Sequence, residues 1–524
     1  MLVCLIGMTA GMAGAQAGLP AQFTLTEIQV KGNTVLDRLQ VERAIYPHLG
    51  PDRGEADMLA ARAALLAAYE EAGYLSVSLR TLITRQAKDA FMFTFEVTEG
   101  QVERVKVKGA RFNLPSDIRA EAGSLATGKV LHYPALQQDL ARLQRRADMS
   151  VTPILRAGRN PGRMEVELQV EDSLPLHGSI ELSNRQSADT SARRLEAALR
   201  YDNLWQLQHS LGLRFINSPL DSDQVEVYSL VYGLPLGGPG RRLTVYAVQS
   251  DSNVITAQDY GSQGKGNTLG LRYSLELPAG RSGLFHTLTA GIDYKHLRET
   301  SGLVGADQSD KPVTYTPLAL QYNALLSGAT QTWTFALGST IGLRGLGENT
   351  VDCDGIATVD QFECRRAGAR RNFLATDYRI GLRQRLGAWR VDAQLDGQLA
   401  SGPLISSEQY AIGGRDSVRG YLEAEALGDD GARFGIELGT PVLTPADWPL
   451  ALNALAFYET GWVHTQQALP GQVSDQVLAA VGVGLRARAA RGLTAAMDYA
   501  HALRAGPRTG KGADRLHVSL GFEF

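Results

Sequence analysis

Ala513-Asp514-Arg515-Leu516-His517-Val518-Ser519-Leu520-Gly521-Phe522-Glu523-Phe524 closes the chain and alternates without a break. Leu516, Val518, Leu520, Phe522 and Phe524 fall on one face, and Arg515, His517, Ser519, Gly521 and Glu523 on the other. A period of two is that of a strand, because successive side chains leave a pleated backbone on opposite sides. An apolar face opposite a polar one, ending on an aromatic residue, suits the closing strand of a transmembrane barrel with lipid outside and a wet lumen inside. A strand of a soluble sandwich also has two such faces, with a core in place of lipid. The rest of the chain has to separate these readings.

Upstream the same texture continues. From Leu174 helical spacing is absent, and sixteen alternating strands are predicted near 176–184, 193–203, 208–217, 224–233, 241–250, 267–277, 284–296, 313–325, 329–342, 370–385, 388–400, 433–443, 450–464, 475–489, 491–501 and 513–524. Connections after even strands are short (234–240, 278–283, 386–387, 490), whereas several after odd strands are long (251–266, 297–312, 343–369, 401–432). An even strand count with short turns at one end and long loops at the other is the pattern of an outer-membrane barrel. The predicted fold is therefore an all-β transmembrane barrel of sixteen antiparallel strands over 174–524.

Composition leaves room for this. The 524 residues carry a net charge of −3, so no basic balance points to nucleic acid. No apolar run reaches the eighteen or so residues of a spanning helix. Met1 to Ala17 is small and apolar and ends Ala15-Gln16-Ala17, the pattern of a cleaved secretory signal. Cys4 falls within it, leaving Cys353 and Cys364 in one loop. In an exported chain the simplest reading of that pair is one disulfide. Cleavage after Ala17 would leave Gly18 to Gln22 ahead of the first strand, about 17 Å when extended. That is too short to cross a bilayer core of roughly 30 Å, so the expected occluder of the lumen is loop 401–432.

Residues 23–99 and 101–172 read as one α/β unit given twice, each β-α-α-β-β. In the first, strand 23–30 is followed by the turn Lys31-Gly32-Asn33, helices 36–46 and 55–72 and strands 75–84 and 91–97. In the second, strand 102–107 and Gly109 precede helices near 114–122 and 134–146 and strands 150–156 and 164–170.

Strand eleven is followed by Ser406-Ser407-Glu408-Gln409-Tyr410-Ala411-Ile412-Gly413-Gly414-Arg415-Asp416-Ser417-Val418-Arg419-Gly420-Tyr421. Gly413-Gly414 permits a sharp turn, and Val418-Arg419-Gly420-Tyr421 sets a cation between residues that pack. A Val-Arg-Gly-Tyr loop before the last five strands of a sixteen-stranded barrel resembles the superfamily of POTRA-barrel transporters and assembly factors. The N-terminal units are similar to POTRA domains through Gly32-Asn33, Tyr69, Gly73-Tyr74 and Val97-Thr98-Glu99-Gly100 in the first. In the second the resemblance lies in Gly128-Lys129-Val130-Leu131, Leu136 to Leu143, Gly158 and Gly162. Two units, at 23–99 and 101–172, suit the two-partner secretion transporters of the hemolysin secretion/activation family, and the resemblance covers essentially the whole chain after the signal.

The resemblance implies that loop 401–432 folds back into the lumen. It implies no cofactor, a secreted exoprotein partner carrying a two-partner secretion domain, a monomer among outer-membrane lipids, and insertion by the barrel assembly machinery. The family's Phe-x-Asp-x-Gly, whose acid meets the loop arginine, stands here as Phe457-Tyr458-Glu459-Thr460-Gly461, with Glu one methylene longer than Asp. The implied pair is Arg419 with Glu459, with Asp416 in the same loop motif; were Glu459 not the partner, the lumenal acid is to be sought among Asp392, Asp396 and Asp498. The expected client site is the second unit, at an edge within 102–107 or the helix face of Leu136, Leu140 and Leu143, although leucines so spaced also make an ordinary core.

No catalytic signature is present. Gly482-Val483-Gly484-Leu485-Arg486-Ala487 fits G-x-G-x-x-A, but it lies in a strand with no helix after it, so no dinucleotide site is expected. The nine His show no ligand spacing, and Asp352 and Asp354 beside Cys353 read as a solvated loop. Two other functions remain open: a barrel-assembly factor of the same superfamily, and a passive solute porin, which leaves 23–172 without purpose.

Overall fold

The computed structural model describes residues 20 and 22–524, apart from 145, 147, 189, 222–223, 239, 252–264, 279, 281–282, 299–311, 344–349, 354–355 and 446. The expected signal at 1–17 and most of the loops at 251–266 and 297–312 lie outside the described residues. The chain divides into two units, up to Leu174 and from Pro175.

The first unit holds both α/β repeats. The first repeat is β1 (Phe23–Lys31), α1 (Arg38–Ile45), β2 (Gly50–Arg53), α2 (Glu55–Glu71), β3 (Val77–Ala87) and β4 (Ala90–Glu99), with sheet order β2-β1-β4-β3. The second is β5 (Gln101–Lys108), α3 (Pro115–Glu121), α4 (Tyr133–Leu143), β6 (Met149–Ala157) and β7 (Arg163–Asp172), with order β5-β7-β6. Strand β2 was not expected. It falls between the two expected helices, with Gly50 paired antiparallel to Leu25 and Arg53 to Phe23.

Both repeats fix the loop after their first strand in the same way. Gly32 and Gly109 adopt φ of +86° and +89°, and a Cβ there would lie 2.3 Å from Val97 O and 2.1 Å from Val170 O. Only glycine fits so close to the neighbouring strand. A carboxylate at the end of the last strand then collects the loop's N–H groups. Glu99 accepts from Thr34 N at 2.8 Å and from the buried Tyr69 hydroxyl at 3.1 Å. Asp172 accepts from the backbone of Arg111 (2.8 Å), Phe112 (2.8 Å) and Asn113 (3.0 Å). Burial opposes ionisation of Asp172, but these N–H groups and the Asn113 amide outweigh it and hold the carboxyl below its usual range.

The second unit is a closed antiparallel barrel of sixteen strands. In order they are Leu176–Ser183, Arg194–Leu204, His209–Asn217, Glu226–Pro235, Arg241–Ser250, Lys265–Glu276, Leu284–Arg298, Pro312–Tyr315 continued by Leu318–Ser327, Gln331–Ile341, Leu374–Leu386, Trp389–Ala400, Asp430–Gly439, Leu450–His464, Asp475–Ala489, Leu493–Ala502 and Asp514–Glu523. Strand eight is interrupted at Thr316-Pro317, where proline has no N–H for the ladder, and its two pieces pair with opposite ends of strand seven. Strand sixteen closes on strand one between Ser519↔Ser183 and Glu523↔Ser179.

The closing strand separates lipid from core. Leu516, Val518, Leu520 and Phe522 are 40–49% exposed, whereas His517 and Ser519 are 4% and 5% exposed. Leu269, Leu271 and Tyr273 on strand six, and Val481, Val483 and Leu485 on strand fourteen, are exposed likewise. A soluble sheet would bury this face, so the apolar band is the surface that lipid covers.

Two loop boundaries differ from the expectation. Strand twelve spans 430–439 rather than 433–443, so the loop expected at 401–432 ends at Asp429. Asp430 already pairs with His464, and Thr440-Pro441 ends the strand because Pro441 cannot donate. Strand ten begins at Leu374 rather than 370. The loop before it contains an unexpected hairpin, Thr350–Cys353 with Ile356–Asp360, and a short helix, Gln361–Arg365.

Candidate functional site

Loop 401–429 packs against the inner wall of strands twelve to sixteen. Gly413, Gly414 and Gly420 adopt φ of +103°, +101° and +94°, and a Cβ at Gly413 would lie 2.6 Å from Glu425 Cβ. Side chains rarely tolerate such φ, so glycines make the reversal that drives the loop inward. Val418 and Tyr421 are fully buried with Ile412, Ala426, Val463, Leu478, Ala480 and Ala502. The Tyr421 hydroxyl lies 2.9 Å from Ala479 O and 2.7 Å from Arg504 O.

This packing carries Arg419 into a cluster of acids, where it is only 2% exposed. Its Nε donates to Glu459 Oε1 at 3.0 Å, its Nη2 to the same oxygen at 2.6 Å, and its backbone N–H to Oε2 at 2.8 Å. Nη2 also reaches Glu437 Oε1 at 2.5 Å, and Nη1 reaches Asp498 Oδ1 at 3.4 Å. The guanidinium carbon sits 3.4 Å from the centre of the Phe457 ring. A charge this deep is tolerated because fork, ring and carboxylates replace its water. The extra methylene of Glu459, relative to Asp, lets one carboxylate take both side-chain and backbone donors of Arg419.

Glycines in the wall make room. A Cβ on Gly461 would lie 3.0 Å from Ile412 Cγ2 and 3.2 Å from Val418 Cγ2. One on Gly482 would strike the Phe457 ring at 2.3 Å, and one on Gly484 would strike Asp498 Oδ1 at 2.2 Å. The G-x-G stretch of strand fourteen is thus the recess in which the arginine cluster sits. Asp416 is not among the arginine's partners: its carboxylate pairs with Arg185 at 2.6 Å, and its carbonyl accepts from Arg433 Nη1 at 2.9 Å.

The family described as "Haemolysin secretion/activation protein ShlB/FhaC/HecB" matches residues 162–487. The chain belongs to this family. A "POTRA domain, ShlB-type" matches residues 23–86. The outer membrane transporter CdiB of Dickeya dadantii strain 3937 is 25% identical over 382 residues, 71% of this chain and 64% of that protein, just under two thirds of its length. The outer membrane transporter CdiB of Escherichia coli O6:K15:H31 is 23% identical over 455 residues, 86% of this chain and 74% of that protein. The solved structure of CdiB from Escherichia coli superposes with a TM-score of 0.71 at 18% identity, covering 99% of this chain and 93% of that one, a likeness of fold.

Within this ShlB/FhaC/HecB-family barrel, sequence reasoning missed several residues at the site. Glu437 and Asp498 share Arg419 with Glu459, whereas the sequence offers Asp498 only as an alternative to Glu459. His517 Nε2 accepts the Gly420 N–H at 3.0 Å. Glu425 takes the backbone N–H groups of Arg508 and Thr509 at 2.8 and 2.7 Å, tying the loop to the last long loop. Each wall residue has lumenal parity, which the sequence shows, but parity alone does not single it out. Asp392 pairs instead with Arg383 (2.6 Å) and Arg390 (2.5 Å), and Asp396 with Arg433 (2.6 Å).

Cys353 and Cys364 are bonded, with Cα atoms 5.8 Å apart, in the loop between strands nine and ten. In the second POTRA-like repeat, β5 is a sheet edge, as expected. The helix face is not a docking surface: Leu136 and Leu143 are buried, and Leu140 packs against the same core.

Proposed function

We propose that this outer-membrane protein carries an unfolded exoprotein from the periplasm to the cell surface, with loop 401–429 as the element that closes the lumen between clients. The observation that supports this most is the buried attachment of Arg419 to Glu459. A passive porin has no use for a cation buried so deeply in a loop folded against its inner wall. The client is a secreted protein with a two-partner secretion domain. It binds first by adding an extended segment to the β5 edge, where Arg104 to Lys108 lie beyond the part of the strand bonded to Lys129 O. The driving force is client folding outside, since the periplasm supplies no ATP. The barrel works as a monomer among outer-membrane lipids after insertion by the barrel assembly machinery. It holds no cofactor and catalyses no reaction.

The test is secretion of a co-expressed exoprotein by cells carrying the wild type or Arg419→Ala. Loss of surface exoprotein with a heat-modifiable barrel still in the membrane supports the reading. Normal secretion by the variant would overturn the role of the loop; no surface exoprotein even with the wild type, alongside solute conductance, would replace the reading with a porin, and assembly of other barrels by the purified protein with no exoprotein present would replace it with an assembly factor.

A further inference from the structure

We propose that Arg366 and Asp429 form a second anchor of the lumen loop, and that the Cys353–Cys364 disulfide keeps Arg366 in place to make it. The inference rests on the transporter reading, in which loop 401–429 closes the lumen. Asp429 is the last residue of that loop and is fully buried. Both Nη atoms of Arg366 reach its two oxygens, Nη2 to Oδ2 at 2.6 Å. The N–H of Leu404 (2.9 Å), the N–H of Gln466 (2.8 Å) and the Gln409 amide (3.1 Å) also donate to this carboxylate. Arg366 returns bonds to Leu404 O at 2.6 Å and Gln466 O at 2.9 Å. One buried carboxylate therefore joins both ends of the lumen loop, the loop after strand thirteen and the disulfide-bearing loop.

Arg366 reaches this point because the helix Gln361–Arg365 is pinned. Five residues do not hold a helix by themselves. Phe362 is buried beside Tyr315, Phe373, Leu404 and Ile405, and the Gln361 side chain bonds both Thr314 N (2.9 Å) and Thr314 O (2.8 Å). Asp360 caps the helix at Phe362 N, and Cys364 ties its last turn to the hairpin at Cys353. Next to this anchor Glu408 takes Lys295 Nζ at 2.6 Å and the Tyr315 hydroxyl, fastening the start of the loop to strands seven and eight. The tip is held by strands twelve to sixteen. Retention is thus two-point, and cutting the disulfide frees only one point.

The positioning role is read from Glu-C protease cleavage after Glu408, at the base of the loop, in the full-length protein in liposomes, oxidised and reduced. Heat-modifiability reports barrel closure, and exoprotein secretion is followed separately. Reduction of the wild type should speed loop cleavage by roughly tenfold or more, the scale of losing charge-assisted hydrogen bonds at a buried site. Arg366→Ala should do the same in the oxidised protein, Arg366→Lys less, and reduction should add little to Arg366→Ala. Unchanged cleavage on reducing the wild type, or full additivity of reduction with Arg366→Ala, would overturn the proposal. The wild-type arm needs no variant to fold. Loop protection is measured without a client, so failure of the transport reading would appear in secretion alone.

Discussion

At the tip of the lumen loop one cation, Arg419, faces three carboxylates; at its base one carboxylate, Asp429, faces one cation and three neutral donors. The tip is rich in acid: Arg486 of the wall also holds Asp498, at 2.8 Å, but among the described ion pairs Glu459 and Glu437 meet only Arg419, so losing its guanidinium strands both together. The base is balanced, and backbone N–H groups would still solvate Asp429 if Arg366 were lost. The two anchors therefore differ in how steeply they fail. A tip of this kind suits a latch that a passing chain can displace, and a base of this kind suits a hinge that loosens by degrees when Arg366 or its disulfide is lost.

The largest expected effect follows from the tip. Arg419→Ala should abolish most loop protection against protease and most secretion while leaving heat-modifiability intact. Arg419→Lys should recover only part, because an ammonium keeps the charge without the fork that meets Glu459 and Glu437 together. If lysine restores full protection, point charge rather than fork geometry holds the tip. Glu459→Asp should rank next, since a shorter side chain cannot meet both the backbone N–H and Nε of Arg419. Secretion by that variant should fall between the wild type and Glu459→Ala. Glu437→Gln should cost less, about 1 kcal/mol or under as judged from loop protection, because this carboxylate is 28% exposed and makes one contact with the arginine.

The smallest effect lies in the periplasmic-type units, where a carboxylate holds a turn and no cation takes part. Asp172 has a depressed pKa, so its contribution to stability is complete above its unfolded value of about 3.9 and is lost as pH falls through the lower folded value. Acid unfolding of the first unit should therefore steepen below about pH 4, and Asp172→Asn should flatten that limb by intrinsic fluorescence or circular dichroism. An acid limb unchanged by Asp172→Asn would place the pH dependence in other carboxylates.

The same contrast explains what the sequence disclosed. The tip is written in two short stretches, Val418-Arg419-Gly420-Tyr421 and Phe457-Tyr458-Glu459-Thr460-Gly461, so its main pair was legible before any coordinates. The base draws on residues 366, 404, 409, 429 and 466, which belong to three loops and share no period, and only the fold assembles it. Strand positions were readable because alternation is set by the pleat and by lipid on one side. Exceptions lie where backbone chemistry overrides pattern or the element is too short to show one: Pro317 splits strand eight, the strand Gly50–Arg53 is too short for a period, and Asp430 extends strand twelve toward the loop. The glycines of strand fourteen were seen as a motif without a ligand. Their meaning is steric, a recess for Phe457 and Asp498.

Whether Arg419 and Glu459 act as one unit to keep the loop in the lumen is tested most directly by a double-mutant cycle. Loop cleavage and secretion rate would be measured for the wild type, Arg419→Ala, Glu459→Ala and the double variant. If the two act as one unit, the double variant loses much less than the sum of the single losses, with a coupling of roughly 1–3 kcal/mol. Additive losses would contradict this and would mean that the two residues contribute independently, with Arg419 held by another lumenal acid such as Asp498.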